Sequence, residues 1–158
     1  MTGRDAVVVR AAQRDDEPTV RRISAEAYLP AYAGVIDGVP RPATADYREP
    51  IGAGDVWIAT LRGIPAGVLV VENRADHLYV YSIAVVPRWQ RHGIGARLLD
   101  HAGSVAALRG YRALRLSTNA KMTRNIEFYR RHGFDEVMTS PHEFRPSEVS
   151  VELMRSLD

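Results

Sequence analysis

The residues with the clearest chemical spacing run from Val85 to Leu99, as Val85-Val86-Pro87-Arg88-Trp89-Gln90-Arg91-His92-Gly93-Ile94-Gly95-Ala96-Arg97-Leu98-Leu99. An apolar strand enters this run, a basic turn carries two glycines, and a helix leaves it. Such a turn suits a pyrophosphate. Gly93 and Gly95 have no side chain, so an anionic group can approach the backbone closely. The first amides of a helix lack intrahelical partners and, with the helix dipole, attract negative charge. Arg88, Arg91 and Arg97 add positive charge to the same turn. An ordinary tight turn ahead of a helix carries the same glycines, so the run alone leaves both readings open. Two nucleotide-binding patterns are excluded. A P-loop requires Lys-Ser/Thr after its last glycine, and here Ala96-Arg97 follow Gly95. A dinucleotide fingerprint requires a third glycine at position 98, which is Leu98.

About thirty residues further on stands Asn125-Ile126-Glu127-Phe128-Tyr129-Arg130-Arg131-His132-Gly133-Phe134. Tyr129 falls near the middle of a short helical pattern. Read alone, it is more readily a core tyrosine beside Ile126 than an O–H available for chemistry. The turn fits Q/R-x-x-G-x-G/A as Gln90-x-x-Gly93-x-Gly95, and the strand before it is Tyr79-Val80-Tyr81-Ser82-Ile83-Ala84-Val85. Together these features resemble the GCN5-related N-acetyltransferases, the GNAT superfamily. The resemblance extends from Val7 to Leu153 and is weaker before Val56. Thr118-Asn119-x-x-Met122-x-x-Asn125-x-x-x-Tyr129, with Ala27-Tyr28, Tyr32, Gly38, Pro40, Pro42 and Asp46-Tyr47, resembles a bacterial subgroup of small members.

The resemblance implies one acyl-CoA N-acyltransferase domain over residues 1–158, using acetyl-CoA. Gln90, Arg91, His92, Gly93, Ile94, Gly95, Ala96 and Arg97 would cradle the pyrophosphate. Ile83, Ala84 and Val85 would offer backbone groups to the pantetheine arm, as an added strand would use them. The same three residues are also ordinary core-strand types. Asn119 and Asn125 are further cofactor candidates; Asn125 lies one helical turn before Tyr129. Tyr129 matches the tyrosine that protonates the departing thiolate in many members. The proton of the attacking amine has no equally plain acceptor. Family carboxylates or imidazoles at this step match Tyr79, Tyr81 or Ser117 here. Proton removal through water by way of Tyr79 or Tyr81, and direct use of a neutral amine, both remain open; His77 shares the strand face of the two tyrosines. Tyr28, Tyr32 and Tyr47, with Asp46, would border the acceptor, as would the Thr139–Ser147 loop with His142 and Glu143. The leading function is acetyl transfer to a primary amine of a small molecule. Acetylation of a protein N-terminus or lysine is a second reading. A non-catalytic acyl-CoA sensor is a third, from another class.

The elements that must position these residues are legible in order. A strand is expected over Ala6–Arg10 and a helix over Asp15–Tyr28, where Val20, Ile23, Ala27 and Tyr28 recur at helical spacing. Pro30–Gly54, with four prolines, reads as a loop with short helical turns. Strands follow at Asp55–Leu61, Ile64–Glu72 and His77–Val86, and a helix at Gly93–Arg109, stopped by Gly110. Ala113–Thr118 is a strand and Thr123–His132 a helix capped by Gly133. Phe134–Met138 and Glu148–Leu153 are two closing strands. The fold class implied is α/β with α+β mixing: a twisted mixed sheet of about seven strands with about four helices.

Composition narrows the partners. The chain has 158 residues, 46% hydrophobic and 25% charged, ordinary for a globular protein. It has no cysteine, which excludes disulfides, zinc-thiolate sites and a cysteine nucleophile. No metal site is expected. The formal charge is +2 and the cations are scattered, unlike the basic stripe of a nucleic-acid protein. No apolar run nears 18 residues and no signal pattern opens the chain, so a cytoplasmic location without membrane association is expected. A homodimer is the expected association, since uncovered sheet edges favour pairing and most soluble oligomers are symmetric dimers.

Overall fold

The computed structural model describes residues 6–158. Its strands are β1 (Val7–Ala11), β2 (Val56–Leu61), β3 (Ile64–Asn73), β4 (Leu78–Val85), β5 (Ala113–Asn119), β6 (Asp135–Pro141) and β7 (Val149–Ser156). Its helices are α1 (Glu17–Tyr32), α2 (Arg48–Gly52), α3 (Ile94–Leu108) and α4 (Thr123–Arg131). The strands form a seven-stranded mixed sheet of order β1-β2-β3-β4-β5-β7-β6. Parallel pairing joins β4 to β5, and the other registered neighbours run antiparallel. This is the expected fold class. By compactness the chain divides in two: one unit takes the chain up to Val71 with Ser82–His101, the other Glu72–Tyr81 with Ala102–Asp158.

In the first unit, β1, β2 and β3 form an antiparallel meander. Ile58, Ala59, Val68 and Leu69 are fully buried, as are Val20 and Ile23 of α1. The start of α3 seats on β3 at Gly67. A Cβ there would lie 2.8 Å from Ile94 Cγ2, 3.1 Å from Leu98 Cδ1 and 3.2 Å from the Ala84 carbonyl oxygen. Only glycine allows so close an approach. The Val86 amide donates to the Ala66 carbonyl at 2.9 Å, fixing where the chain leaves the sheet. These two contacts aim the β4–α3 turn.

Helix α1 continues one turn beyond the expected end at Tyr28 and contains Pro30. Proline removes one backbone donor and disfavours the helical conformation of the residue before it. Tyr28 and Tyr32 nevertheless stack on successive turns, ring centroids 5.8 Å apart. The Ala33 amide then closes the helix on the Leu29 carbonyl at 3.1 Å. The expected loop holds two short pieces, a 3₁₀ turn at Arg41–Ala43 and α2.

In the second unit, β5 pairs with β7 along its whole length, Ala113↔Ser156 through Asn119↔Ser150, and β6 pairs with β7 on the other side. Both closing strands reach further than their apolar runs indicate, to Pro141 and to Ser156. Polar edge residues extend a ladder without joining the core, and β6 is exposed throughout. Leu114, Leu116, Val151 and Leu153 are buried on one face. Arg155 is clamped by small residues. Its Nη1 donates to the His132 carbonyl at 3.2 Å, its guanidinium lies 5.6 Å from the Phe134 ring centre, and Cβ atoms at Gly103 and Gly133 would meet it at 2.6 and 3.1 Å.

Candidate active site

In the first unit the turn after β4 has the geometry of an anion seat. Arg91 and Gly93 are left-handed, at φ 67° and 78°. A Cβ on Gly93 would project into open space, so the glycine leaves a free concavity above the turn. The Arg97 amide donates to the Gly93 carbonyl at 3.0 Å as the first helical bond. The amides of Ile94, Gly95 and Ala96 therefore fall in the helix's opening turn, where backbone donors face outward. Fifteen residues of aligned dipoles stand behind them. Arg91, His92 and Arg97 are exposed around the seat, while Ile94 is buried and anchors it. His92 packs edge-on to Trp89, centroids 5.6 Å apart.

Burial alternates along β4. Ser82 and Ala84 point into the core, whereas Ile83 and Val85 point to the other face, only partly covered. Side-chain donors meet the carbonyls of the latter two. Gln90 Nε2 donates to the Val85 carbonyl at 3.2 Å, and the Tyr28 hydroxyl approaches the Ile83 carbonyl at 3.5 Å. The buried Ser82 hydroxyl donates to Tyr28 at 3.1 Å and orients it. The motif glutamine is thus turned back onto its own strand. Tyr28 and Tyr32 form one aromatic surface. Tyr47 does not join it: it is 1% exposed, and its hydroxyl donates to the Pro42 carbonyl, so it is a core residue that shapes the Pro40–Tyr47 bend. Sequence placed it at the acceptor because tyrosine types alone do not report burial. Asp46 is held by Arg48, whose hydrogen bonds and charge lower its carboxyl pKa to about 2.

In the second unit, Tyr129 is half-buried on α4. Its ring lies edge-on to Phe128 and Phe134, at 5.5 and 5.8 Å, and its carbonyl receives the amides of His132 and Phe134, each at 3.0 Å. The helix end and the aromatic contacts together fix the ring. Asn125 lies one turn earlier, partly exposed. Asn119 is buried and already engaged. Its Oδ1 accepts the Lys121 amide at 2.9 Å, and its Nδ2 faces buried Glu148, itself 2.6 Å from Arg145 Nε. This arrangement assigns Asn119 a structural task at the end of β5. His142 Nδ1 accepts the amides of Phe144 and Arg145 at 3.1 and 3.2 Å, which folds the chain after β6 on itself; Thr139 to Pro141, expected in the loop, belong to the strand.

Tyr79 and Tyr81 project from one face of β4, as expected, with His77 beside Tyr79 at 6.5 Å between ring centres. His77 Nδ1 pairs with Asp76 at 2.7 Å. The Tyr79 hydroxyl is hydrogen-bonded to Ser117, so the two strand positions singled out for amine deprotonation meet. Burial raises the Tyr79 pKa, only partly opposed by the Ser117 hydrogen bond and the Arg74 charge 4.5 Å from its ring. Tyr79 therefore stays a phenol at neutral pH, able to pass a proton but not to act as a standing base.

A glycine-opened helix start and a pinned, half-buried tyrosine agree with one family model, that of the acetyltransferase (GNAT) domain, which matches residues 52–136. The chain belongs to the GNAT acetyltransferase family. It is 31% identical over 101 residues to "GCN5-related N-acetyltransferase 4, chloroplastic" of Arabidopsis thaliana, a match covering 55% of this chain and 35% of that protein. The chain thus spans about a third of that relative's length. Among solved structures, the fold is similar to the PaiA N-acetyltransferase of Thermoplasma acidophilum in complex with coenzyme A. The TM-score is 0.79 at 16% identity, over 96% of this chain and 99% of that one. A putative streptothricin acetyltransferase of Bacillus anthracis in complex with acetyl coenzyme A is also similar, with TM-score 0.77, 18% identity, and coverage of 97% and 99%. The GNAT fold accounts for the order of elements on either side of the β4–α3 turn. No described helix is long and apolar enough to cross a membrane, and no metal-holding cluster of His, Asp and Glu occurs among the described residues.

Proposed function

We propose that this GNAT protein transfers an acetyl group from acetyl-CoA to the primary amine of a small molecule. The observation that carries the reading is the β4–α3 turn: left-handed Gly93 with open space above it, at the positive end of a long helix. That seat suits a pyrophosphate, and the amides of Ile94, Gly95 and Ala96, with Arg91, His92 and Arg97, would hold it. Ile83 and Val85 would offer their backbone groups to the pantetheine amides, with Gln90 and Tyr28 giving way. When bound, acetyl-CoA supplies an activated acyl thioester. Tyr129, with its ring fixed by Phe128 and Phe134, would protonate the departing thiolate. An O–H at hydrogen-bond distance suffices for this; no unusual acidity is required. The stacked faces of Tyr28 and Tyr32 suit a compact organic amine, and a cationic amine gains from an aromatic face. Asn125 is retained as a cofactor contact.

The test is a screen of small amines, protein N-terminal peptides and lysine peptides, with CoA release and acetylated product both measured. Product from a small amine alone supports the reading. Product from peptides alone moves the assignment to protein acetylation. Tight acetyl-CoA binding with no product in any arm moves it to a sensor.

A further inference from the structure

Neither β4 nor β5 carries a carboxylate where the amine proton must go, but β7 does. Glu152 stands directly opposite Ser117 in the β5–β7 ladder. Directly opposed residues of an antiparallel pair share a face, with Cβ atoms about 5 Å apart. Ser117 in turn is hydrogen-bonded to the Tyr79 hydroxyl, and Tyr79 stands beside Arg115 in the β4–β5 register. Arg115 Nη1 lies 3.5 Å from Glu152 Oε1, on the same face. The result is a row across three strands: Tyr79, Ser117, Glu152, with Arg115 alongside. Glu152 is partly covered, its side chain 19% exposed, while Ser117 is open.

We infer that Glu152 is the terminal proton acceptor of the acetyl-transfer reaction, acting through Ser117 and Tyr79 as a positioning residue rather than by touching the amine. This rests on the acetyltransferase reading above. As the nitrogen forms its bond to the acyl carbon and the carbon–sulfur bond breaks, the nitrogen becomes positively charged, so its N–H is far more acidic than in the free ammonium. A carboxylate of ordinary basicity is then sufficient. The nitrogen's proton passes to the Tyr79 oxygen, the Tyr79 proton to Ser117, and the Ser117 proton to Glu152. The thiolate takes a proton from Tyr129. Glu152 has gained one proton and Tyr129 has lost one, and exchange with water restores both.

Arg115 faces Glu152 from β5, with Nη1 3.5 Å from Oε1. Arg74 and Glu72 lie at the far end of the row near Tyr79, Asp76 is within the field of Arg115, and the β6 neighbour opposite Glu152 is the neutral Met138. Burial first, then the charges of Glu72 and Glu152, hold the Tyr79 phenol in its protonated form, the state a relay needs.

Two readouts test this. The first is turnover against pH for wild type, Glu152→Gln, Glu152→Asp and Ser117→Ala on an acceptor found by the screen. Glu152→Gln and Ser117→Ala should each lose ~10²-fold in kcat near neutrality, with little change in KM, and the loss should shrink as pH rises. Glu152→Asp should recover part of it. The second readout needs no acceptor: ultraviolet titration of the Tyr79 phenol, isolated by difference from Tyr79→Phe. Removing the Glu152 charge should move this ionisation to lower pH. Wild-type kcat and pH profile in Glu152→Gln, or an unmoved Tyr79 titration, would overturn the proposal while leaving acetyl transfer intact. Wild-type protein that turns over no amine would instead overturn the acetyltransferase reading, and this proposal with it. Ser117 is exposed, so Ser117→Ala keeps the test open if the Glu152 variants fold poorly.

Discussion

Tyr129 and Gly93 separate chemistry from binding at the scale of single residues. Tyr129→Phe keeps the ring between Phe128 and Phe134 and removes only the hydroxyl. Turnover should fall ~10²–10⁴-fold while acetyl-CoA affinity, read by calorimetry, stays within about twofold. Full activity in this variant would remove Tyr129 as the acid. Gly93→Asp places a carboxylate in the open space of the turn and forces a side chain onto a left-handed residue at φ 78°. Acetyl-CoA binding should disappear from a protein that still folds, because the added charge repels the pyrophosphate. Much of this was legible in the sequence: a glycine at the turn and a tyrosine on the later helix both follow from motif spacing. Other residue-level facts were not. Burial of Tyr47 depends on how the proline-rich segment folds back. Glu152 reads in sequence only as the polar member of an alternating strand, Val151-Glu152-Leu153, and acquires its partner Ser117 only through the β5–β7 register.

Elements carry the precision on which those residues depend. The start of α3 lies so close to β3 that Gly67→Ala requires Ile94 and Leu98 to shift. That substitution should weaken acetyl-CoA binding, with no side chain added at the seat itself, because it tilts the helix start. Unchanged affinity would show that the turn is set independently of the seam. Gly133, at φ 89° beside the Arg155 stem, ends α4. Gly133→Ala should cost ~1–2 kcal/mol in denaturant unfolding. His101 gives α3 a pH signature. Its ring lies edge-on to Trp57 at 5.2 Å, and its Nε2 is buried without a partner. Burial, then the charge of Arg97, lowers its pKa below the ordinary value of 6.5. As pH falls through the usual histidine range, the unfolded chain takes up this proton first, so stability declines from there downward until folded His101 is protonated too. His101→Phe should flatten the part of the stability profile that declines below the ordinary histidine value of 6.5. The carboxylates of Asp16 and Asp76, whose pKa values are lowered chiefly by hydrogen bonds to Arg10 and His77, lose their contribution at still lower pH, so the two windows are separable. Element order was readable in advance because apolar periodicity and glycine stops are local signals. The extra turn of α1 through Pro30 was not, since a proline reads locally as a helix breaker.

For the molecule as a whole, binding and stability are linked. A ligand that binds only the folded chain raises its stability by about 2.7 kcal/mol at a hundred times its Kd. Acetyl-CoA should therefore raise Tm in wild type and leave Gly93→Asp unmoved, with Tyr129→Phe behaving as wild type. Acetyl transfer to a small amine is checked by incubating the protein with acetyl-CoA and an amine library while following CoA release and product mass together. CoA release should require a particular small primary amine and yield that amine carrying one added acetyl group, with the rate collapsing in Tyr129→Phe. Saturable acetyl-CoA binding with no acetylated small amine, whether the group goes to peptides or nowhere, would contradict it.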